Sequence, residues 1–586
     1  MPQTLRQYAL LADGERGALI GPRGDIGFLC APRWHDDAAF SGLLGGRGAY
    51  TVTPRDERFT WGGHYERGSL VWRSRWVTTG AVVECREALA YPGERDRVVL
   101  LRRVEPVRGS AQVRAALDVR AGFDQHDMVV RRTAPTTWEG TSGDLTFRWT
   151  GVPGSARQYD GPVVADLDLA AGEHHDLVLE IARGPLPARP PRPADLWRRT
   201  EEAWADGQPD LGASVAPRES QHSYVVLRGL TSADGGMVAA ATTSMPERAD
   251  RGRDYDYRYA WIRDQAYAGQ AAAAVGADDL LARAVGFVGD RVLDDGDHLA
   301  PAYTVDGGPV PEERPVSLTG YPGAPVRAGN HVTGQFQLDA VGESLLLLSA
   351  ADARLGLDSH GTRAVESLVS TVRRRWREPD AGIWELEDRR WAHSRLMCAA
   401  GLRAAAARRG GAAGREWDRL ADTLVRSVDE DCLHPDGRWQ RAPDDQRVDA
   451  ALVLAGVRGA VPAGDERQRR TLAAVLDELA DDGYVYRFRQ DRREPLHAEE
   501  GAFVLSGFHV ALALLQQGDL TAAVRWYERN RGALGPPGLF AEEFDVVQRQ
   551  LRGNLPQAFV HALALETGHR LAAAGLADRG FIEEDR

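Results

Sequence analysis

Residues 253–270 read RDYDYRYAWIRDQAYAGQ. The first half crowds Tyr255, Tyr257, Tyr259 and Trp261 among Asp254, Asp256, Arg258, Arg263 and Asp264. From about Asp264 the stretch turns into a helix of small residues. Flat apolar rings beside forked charged groups complement a ligand with C–H faces and hydroxyl edges, as a sugar ring has. An aromatic loop packed into a core would have the same composition, so the surrounding chain has to decide.

Downstream, the pattern of an aromatic, acidic loop followed by a helix recurs. From about Ser220, apolar residues at helical spacing mark twelve amphipathic segments, beginning near residues 220, 263, 278, 332, 360, 391, 413, 446, 465, 500, 519 and 556. Many are rich in Ala and Leu, such as Ala400–Arg408 and Leu472–Ala480. Loops rich in aromatic residues, Gly and acids precede the even-numbered segments, and tight links precede several odd-numbered ones. Twelve helices could form a superhelix, a bundle or a closed ring of hairpins; no fixed repeat marks a regular solenoid. In a ring whose alternate helices run one way, all the furnished loops meet at one end. Helix N-termini then converge there with their free N–H groups.

Upstream, residues 1–187 read as an antiparallel β-sandwich. Short runs such as Ser69–Thr78, Ala81–Leu89, Arg97–Val104, Asp127–Arg132 and Asp176–Ile181 are rich in Val, Leu, Trp and Arg and are separated by Gly and Pro turns. Residues 188–216 form a linker, Pro-rich at ARPPRPADLW (Ala188–Trp197) and then helical. Residues 217–586 are the helical domain.

Composition narrows the function. At 586 residues the chain exceeds one compact core, and its net charge of -13 disfavours nucleic acid or an anionic membrane as partner. Every cationic side chain among the 72 Lys and Arg is Arg. Without Lys there is no Schiff base and no phosphate-loop lysine. Cys30, Cys85, Cys398 and Cys432 are far apart and form no CxxC pair. They suit a reduced cytoplasm, which the N-terminus, lacking an apolar signal core, also suggests. No run is long enough to span a membrane. Oligomeric state is not legible.

Three acidic constellations carry chemistry. Asp380-Ala-Gly-Ile-Trp384-Glu385 sets a carboxylate beside an indole just before a helix, where an apolar neighbour would raise the carboxyl's pKa as a general acid requires. The same Glu385 could simply be an acid favoured at a helix N-terminus. Gly538-Leu-Phe540-Ala-Glu542-Glu543-Phe544-Asp545 sets two adjacent carboxylates among aromatics, where a solvated turn is the plain alternative. Glu499-Glu500-Gly501-Ala502-Phe503 is a third acidic turn, readable as helix capping. His393, His497 and His561 lie near these loops, but no HExxH or comparable metal-ligand spacing exists, nor a GxSxG elbow or dinucleotide fingerprint. Glycoside hydrolysis needs a pair of carboxylates like these.

With those residues in view, the chain resembles the glucoamylase family, glycoside hydrolase family 15, and within it the bacterial glucoamylase-like and trehalase-like members. ALIGPRGDIGFLCAPRWHDDAAF, DYRYAWIRD, GYPGAPVRAGN with QFQLDAVGE, GIWE…HSRLM, EEGAF and AEEFD…GNLPQAFVHA follow one another in the family's order. The resemblance implies a β-sandwich followed by an (α/α)6 barrel, and hydrolysis of α-glucosides from the non-reducing end with inversion. It implies Glu385 as general acid and Glu542 as general base. Arg263 and Asp264 would hold hydroxyls of the terminal glucose and Trp261 and Trp384 would wall it, with Tyr259 and Glu543 also at the substrate. Tyr255, Ala260, Ala541 and Phe28 depart from residues usual in the family.

The implied mechanism is direct displacement: Glu385 protonates the glycosidic oxygen and Glu542 activates a water on the opposite face, the carboxyls being roughly 6.5–9.5 Å apart. It needs no metal or organic cofactor. The partner is a small oligosaccharide of isomaltose, maltose or trehalose type. A phosphorylase on a similar barrel, an inactive carbohydrate-binding protein and a uronic-acid lyase are the alternatives, the last disfavoured by the acidic loops.

Overall fold

A computed structural model describes residues 2–248, 253–490 and 495–576. The chain forms antiparallel sheets first and helices second, as the sequence indicates. Residues 577–586 of the expected helical domain lie outside those described.

The β part holds three larger sheets. A four-stranded meander, Ala9–Ala12, Gly17–Ile20, Ile26–Cys30 and Ala38–Phe40, runs in chain order. An eight-stranded sheet and a second four-stranded sheet share one core, in which Trp76, Leu100, Phe147 and Leu179 meet Tyr50, Val113, Leu117 and Val163. The strand Ala111–Asp118 shows the cause: Val113, Ala115 and Leu117 point inward while Gln112 and Arg114 face water. The strand expected at Arg97–Val104 runs on to Arg108 through Pro106. A register shift opposite it, between Val82 and Val83, accommodates the missing N–H.

The linker helix Pro193–Ala205 starts on a proline, where the lost N–H is harmless. Trp197 fastens it to the sandwich, with its indole N–H on Asp176 at 3.0 Å and Arg86 over its ring.

Among the described residues twelve α-helices follow: α1 Pro217–Leu230, α2 Ile262–Val275, α3 Asp278–Asp295, α4 Leu338–Arg354, α5 Ser359–Arg375, α6 Ala392–Arg409, α7 Gly411–Cys432, α8 Leu454–Val457, α9 Glu466–Glu478, α10 Val504–Gln516, α11 Leu520–Arg531 and α12 Ala558–Leu571. Helices α2, α4, α6, α8, α10 and α12 pack each on the next, and α12 closes back onto α2. The odd-numbered helices lie outside this ring. Sequence dictates the division. In α10 every position from Val504 to Leu514 is buried, as an inner helix requires. In α5 only the stripe Gly361, Ala364, Leu368, Val369, Thr371 and Val372 is buried, and Arg373 and Arg374 face out. Of the open architectures, the closed ring is the one formed. Helix α8, expected to begin near residue 446, starts at Leu454 and is short: after a 3-10 turn at Ala450–Val453, Gly456, left-handed Gly459 and Pro462 end it. No helix among the described residues is long and apolar enough to cross a membrane.

Candidate active site

The loops before five of the six inner helices open into one cleft; the loop before α8 contributes no residue to its lining. The cleft is lined by Tyr255, Tyr257, Trp261, Arg263 and Asp264 at α2, His331 before α4, Ile383, Trp384 and Glu385 before α6, Arg487 and Phe503 before α10, and Glu542, Gln557 and Phe559 at α12. The space between its walls is about 720 Å³, open solvent included.

Glu385 is set by a strained turn. Asp380, itself buried, accepts Gly382 N at 2.8 Å, Ser394 Oγ at 2.9 Å and Leu338 N at 3.3 Å, and so folds the segment back on itself. Gly382 has φ +67°, and a Cβ there would stand 2.7 Å from the Trp391 ring, so the turn requires glycine. Glu385 has φ +55°, a costly conformation for a residue with a side chain. Three donors converge on its Oε1: Trp261 Nε1 at 2.6 Å, Gln337 Nε2 at 3.2 Å and Arg263 Nη2 at 3.3 Å. Its neighbour Trp384 turns its N–H away, onto both oxygens of Asp449 at 2.9 and 3.0 Å, and Arg441 holds Asp449 at 3.1 Å.

Glu542 lies at the other side of the chain's order, just before a three-residue strand, Glu543–Asp545, that pairs with Ala502–Phe503. It is 2% exposed, and Tyr257 donates its hydroxyl to Oε1 at 2.9 Å. Gly553, with φ +72°, comes so close that a Cβ would stand 2.5 Å from Oε2. Burial pushes the Glu542 carboxyl up to about 8; Glu247 adds to the rise, while Arg487 and the Tyr257 hydroxyl oppose it. The Glu385 side chain, by contrast, keeps 24% exposure.

Arg263 and Asp264 are both buried at the cleft. Arg263 Nη1 is braced by Gln337 Oε1 at 2.7 Å and Asp339 Oδ2 at 3.2 Å. Burial raises Asp264 to about 7, and its Oδ1 has no protein partner, leaving a group suited to a ligand hydroxyl.

The structure thus brings Glu385, Glu542, Arg263, Asp264, Trp261 and Trp384 to one cleft. Two expected site residues lie elsewhere. Tyr259 is buried in an apolar cluster with Ala239, Ala302, Val310 and Val332, its hydroxyl 3.4 Å from Asp256; Tyr257 takes the place at the cleft. Glu543 points to the back, accepting Gly501 N at 2.7 Å and gathering with Glu247 and Glu500, their oxygens within 4.8 Å of one another. That trio has the donor set of a cation site, but guanidinium groups already supply positive charge there. Arg487 pairs with Glu500 and lies 3.5 Å from Glu247, and Arg253 reaches the same two carboxylates at 3.5 and 3.6 Å. His393 and His561 are buried and held neutral, burial pushing His393 down to about 4.

Sequence reasoning gave no role to Gln337, Asp449 or Arg487. Gln337 stood in the quoted QFQLDAVGE; Asp449 lies in the loop before α8, where it also accepts Ala451 N at 2.9 Å. Only the fold shows that each also braces an acidic loop.

Comparisons with known proteins agree with this architecture. Residues 225–569 match the model of glycosyl hydrolases family 15, and residues 2–203 that of the trehalase-like N-terminal domain. A trehalase of Mycobacterium tuberculosis is 29% identical over 98% of this chain and 90% of its own length. A trehalase of Thermoplasma acidophilum is 30% identical over 67% of this chain and 68% of its own. Among solved structures, a bacterial glucoamylase complexed with acarbose superposes with a TM-score of 0.67 at 12% identity, covering 99% of this chain and 96% of that one, which is a likeness of fold. The ring of helices, its cleft and the match over residues 225–569 together make this chain a member of glycosyl hydrolase family 15, a glycoside hydrolase.

Proposed function

We propose that the chain is a trehalase, cleaving the α,α-linked disaccharide by a single inverting displacement, with Glu385 as general acid and Glu542 as general base. The observation that carries the catalytic part is that these two carboxylates, 157 positions apart in the chain, line one cleft with Arg263, Asp264 and two indoles. The choice of trehalose rests on the relatives named trehalase that span nearly the whole chain, and on the trehalase-like N-terminal domain.

In this reading one glucose lies between Trp261 and Trp384, its hydroxyls on Arg263 and Asp264. Glu385 Oε1 is taken by three donors, so the proton for the glycosidic oxygen sits on Oε2. Glu542 Oε1 accepts from Tyr257, and Oε2 draws a proton from the attacking water. The bond from anomeric carbon to glycosidic oxygen breaks as the bond to water forms through an oxocarbenium-like transition state, and β-glucose leaves with the proton of Glu385 on its partner sugar. The carboxyls must then stand roughly 6.5–9.5 Å apart.

The opposite division of labour has one observation in its favour: Glu542 is the carboxyl that burial keeps protonated, up to about 8. α-Glucosyl fluoride, whose leaving group needs no proton, separates the two. Substrate choice is tested by kcat/KM across trehalose, maltose and isomaltose. Trehalose should lead by at least about tenfold, the scale of one lost hydrogen-bonded contact; a lead for maltose or isomaltose would overturn the assignment.

A further inference from the structure

We propose that Arg258 is a positioning residue through which the β-sandwich sets the Tyr257 hydroxyl against Glu542. The inference rests on the assignment of Glu542 to catalysis.

The segment around Tyr257 is extended. Its carbonyls accept from the chain beside it: Tyr255 O from Ser244 N at 2.9 Å, Tyr257 O from Ala240 N at 2.9 Å and Tyr259 O from Ala239 N at 2.8 Å. In an extended chain successive side chains point to opposite faces. Tyr255 and Tyr257 share the front, their rings parallel within 9° and 6.3 Å apart, and line the cleft. Asp256 and Arg258 share the back.

The back is bolted to the sandwich. Arg258 is 1% exposed. One side of its guanidinium grips Asp256, Nε at 2.9 Å and Nη2 at 2.6 Å. From the other side Nη1 reaches three acceptors of the β part: Asp36 O at 2.6 Å, Trp34 O at 3.1 Å and Cys30 Sγ at 3.1 Å. The ring of Phe123, also from the β part, lies 5.6 Å from the guanidinium carbon. Asp256 in turn accepts Gly329 N at 3.0 Å, tying in the loop before α4.

A buried guanidinium with fixed acceptors on both sides is stiff, because any shift leaves a charge or a donor unmet in a dry place. Tyr257 is held between the two clamped residues, and its hydroxyl reaches Glu542 at 2.9 Å. A displacement of the sandwich loop 30–36 therefore becomes a displacement at the proposed base. Lysine cannot reproduce this: one ammonium does not span a carboxylate and two carbonyls in a plane.

The test uses the full-length enzyme and the variants Arg258→Lys, Tyr257→Phe, their combination and Glu542→Gln, each assayed for kcat, KM, pH profile and Tm on trehalose. Arg258→Lys should lower kcat about ten- to a hundredfold with KM nearly unchanged, the scale set by sub-ångström misplacement. Its acid limb should move to higher pH, as should that of Tyr257→Phe, because the hydroxyl favours the ionised carboxylate. In the Tyr257→Phe background Arg258→Lys should cost less than about threefold more. Multiplicative losses in the double variant, or a lower Tm with kcat and acid limb unmoved, would overturn the proposal while leaving Glu542 in place. Activity surviving in Glu542→Gln would instead overturn the catalytic assignment and this inference with it. Should Arg258→Lys not fold, Phe123→Leu disturbs the same guanidinium from the sandwich side. A smaller fall in kcat with the same limb shift then supports the proposal, and an unmoved kcat and limb overturns it.

Discussion

Trp261 donates its indole N–H to Glu385 Oε1 at 2.6 Å, joining Gln337 and Arg263 on the same oxygen. One oxygen of this carboxyl is thereby saturated and the other is left to carry or accept a proton. With Glu542 held similarly through a single oxygen by Tyr257, each candidate catalytic group offers one free oxygen to the cleft.

The acid and the base are separated by leaving group. Glu385→Gln and Glu542→Gln should each lower kcat on trehalose by about a hundred- to ten-thousandfold, the usual worth of a general acid or base. On α-glucosyl fluoride, whose fluoride departs without protonation, Glu385→Gln should recover most of its activity and Glu542→Gln should not. The opposite pattern would reverse the two roles. Near wild-type turnover of trehalose by either variant would remove that residue from the mechanism.

Glu542 also bears on stability. Its folded-state pKa of about 8 lies above its ordinary 4.5, so the fold binds its proton more tightly than the unfolded chain. That contribution is fully present below pH 4.5 and is lost as pH rises through about 8. Glu542→Gln, which cannot ionise, should therefore gain on the wild type between pH 5 and pH 8, by up to a few kcal/mol. Differential thermal unfolding measures it; a Tm difference, variant minus wild type, that stays constant or falls from pH 5 to pH 8 would contradict the burial argument.

The barrel core carries a pair of opposite sign. Arg458 clasps Glu566 with contacts of 2.6 and 3.0 Å, both side chains at most 3% exposed, linking the end of α8 to α12. Arg458 draws the Glu566 carboxyl down to about 2 against burial. Its stabilising contribution is present above pH 4.5 and is lost as pH falls toward 2. Glu566→Ala, which leaves a buried guanidinium unmet, should lower stability by about 3–5 kcal/mol at neutral pH in denaturant unfolding. A change under about 1 kcal/mol would show that the pair is not braced as drawn.

Much of this was legible in the sequence because helical periodicity survives burial. Eleven of the twelve barrel elements begin within six residues of where spacing alone put them. The exception in character, α8, is short because Gly456, Gly459 and Pro462 interrupt a pattern that apolar spacing alone extends. The proposed catalytic pair was legible because acids among aromatics before a helix are chemically conspicuous. Tyr257 and Tyr259 were not separable, since two tyrosines two positions apart look alike in sequence; the chain bends at Tyr259, whose ring is buried in an apolar cluster while that of Tyr257 lines the cleft. Gln337 was silent, and Arg258 was read as a group for a sugar ring, for a related reason: a positioning role depends on what lies opposite, and the partners cited are from tens to hundreds of residues away.

The most direct test of an inverting displacement at Glu385 and Glu542 is the anomer formed in the first seconds of trehalose hydrolysis, followed by proton NMR before mutarotation mixes the products. Attack by water opposite the departing sugar yields one β-glucose, and the departing sugar keeps its α configuration, so the early spectrum should show the two anomers in equal amounts. An early product that is α-glucose alone would mean retention, and would contradict the account.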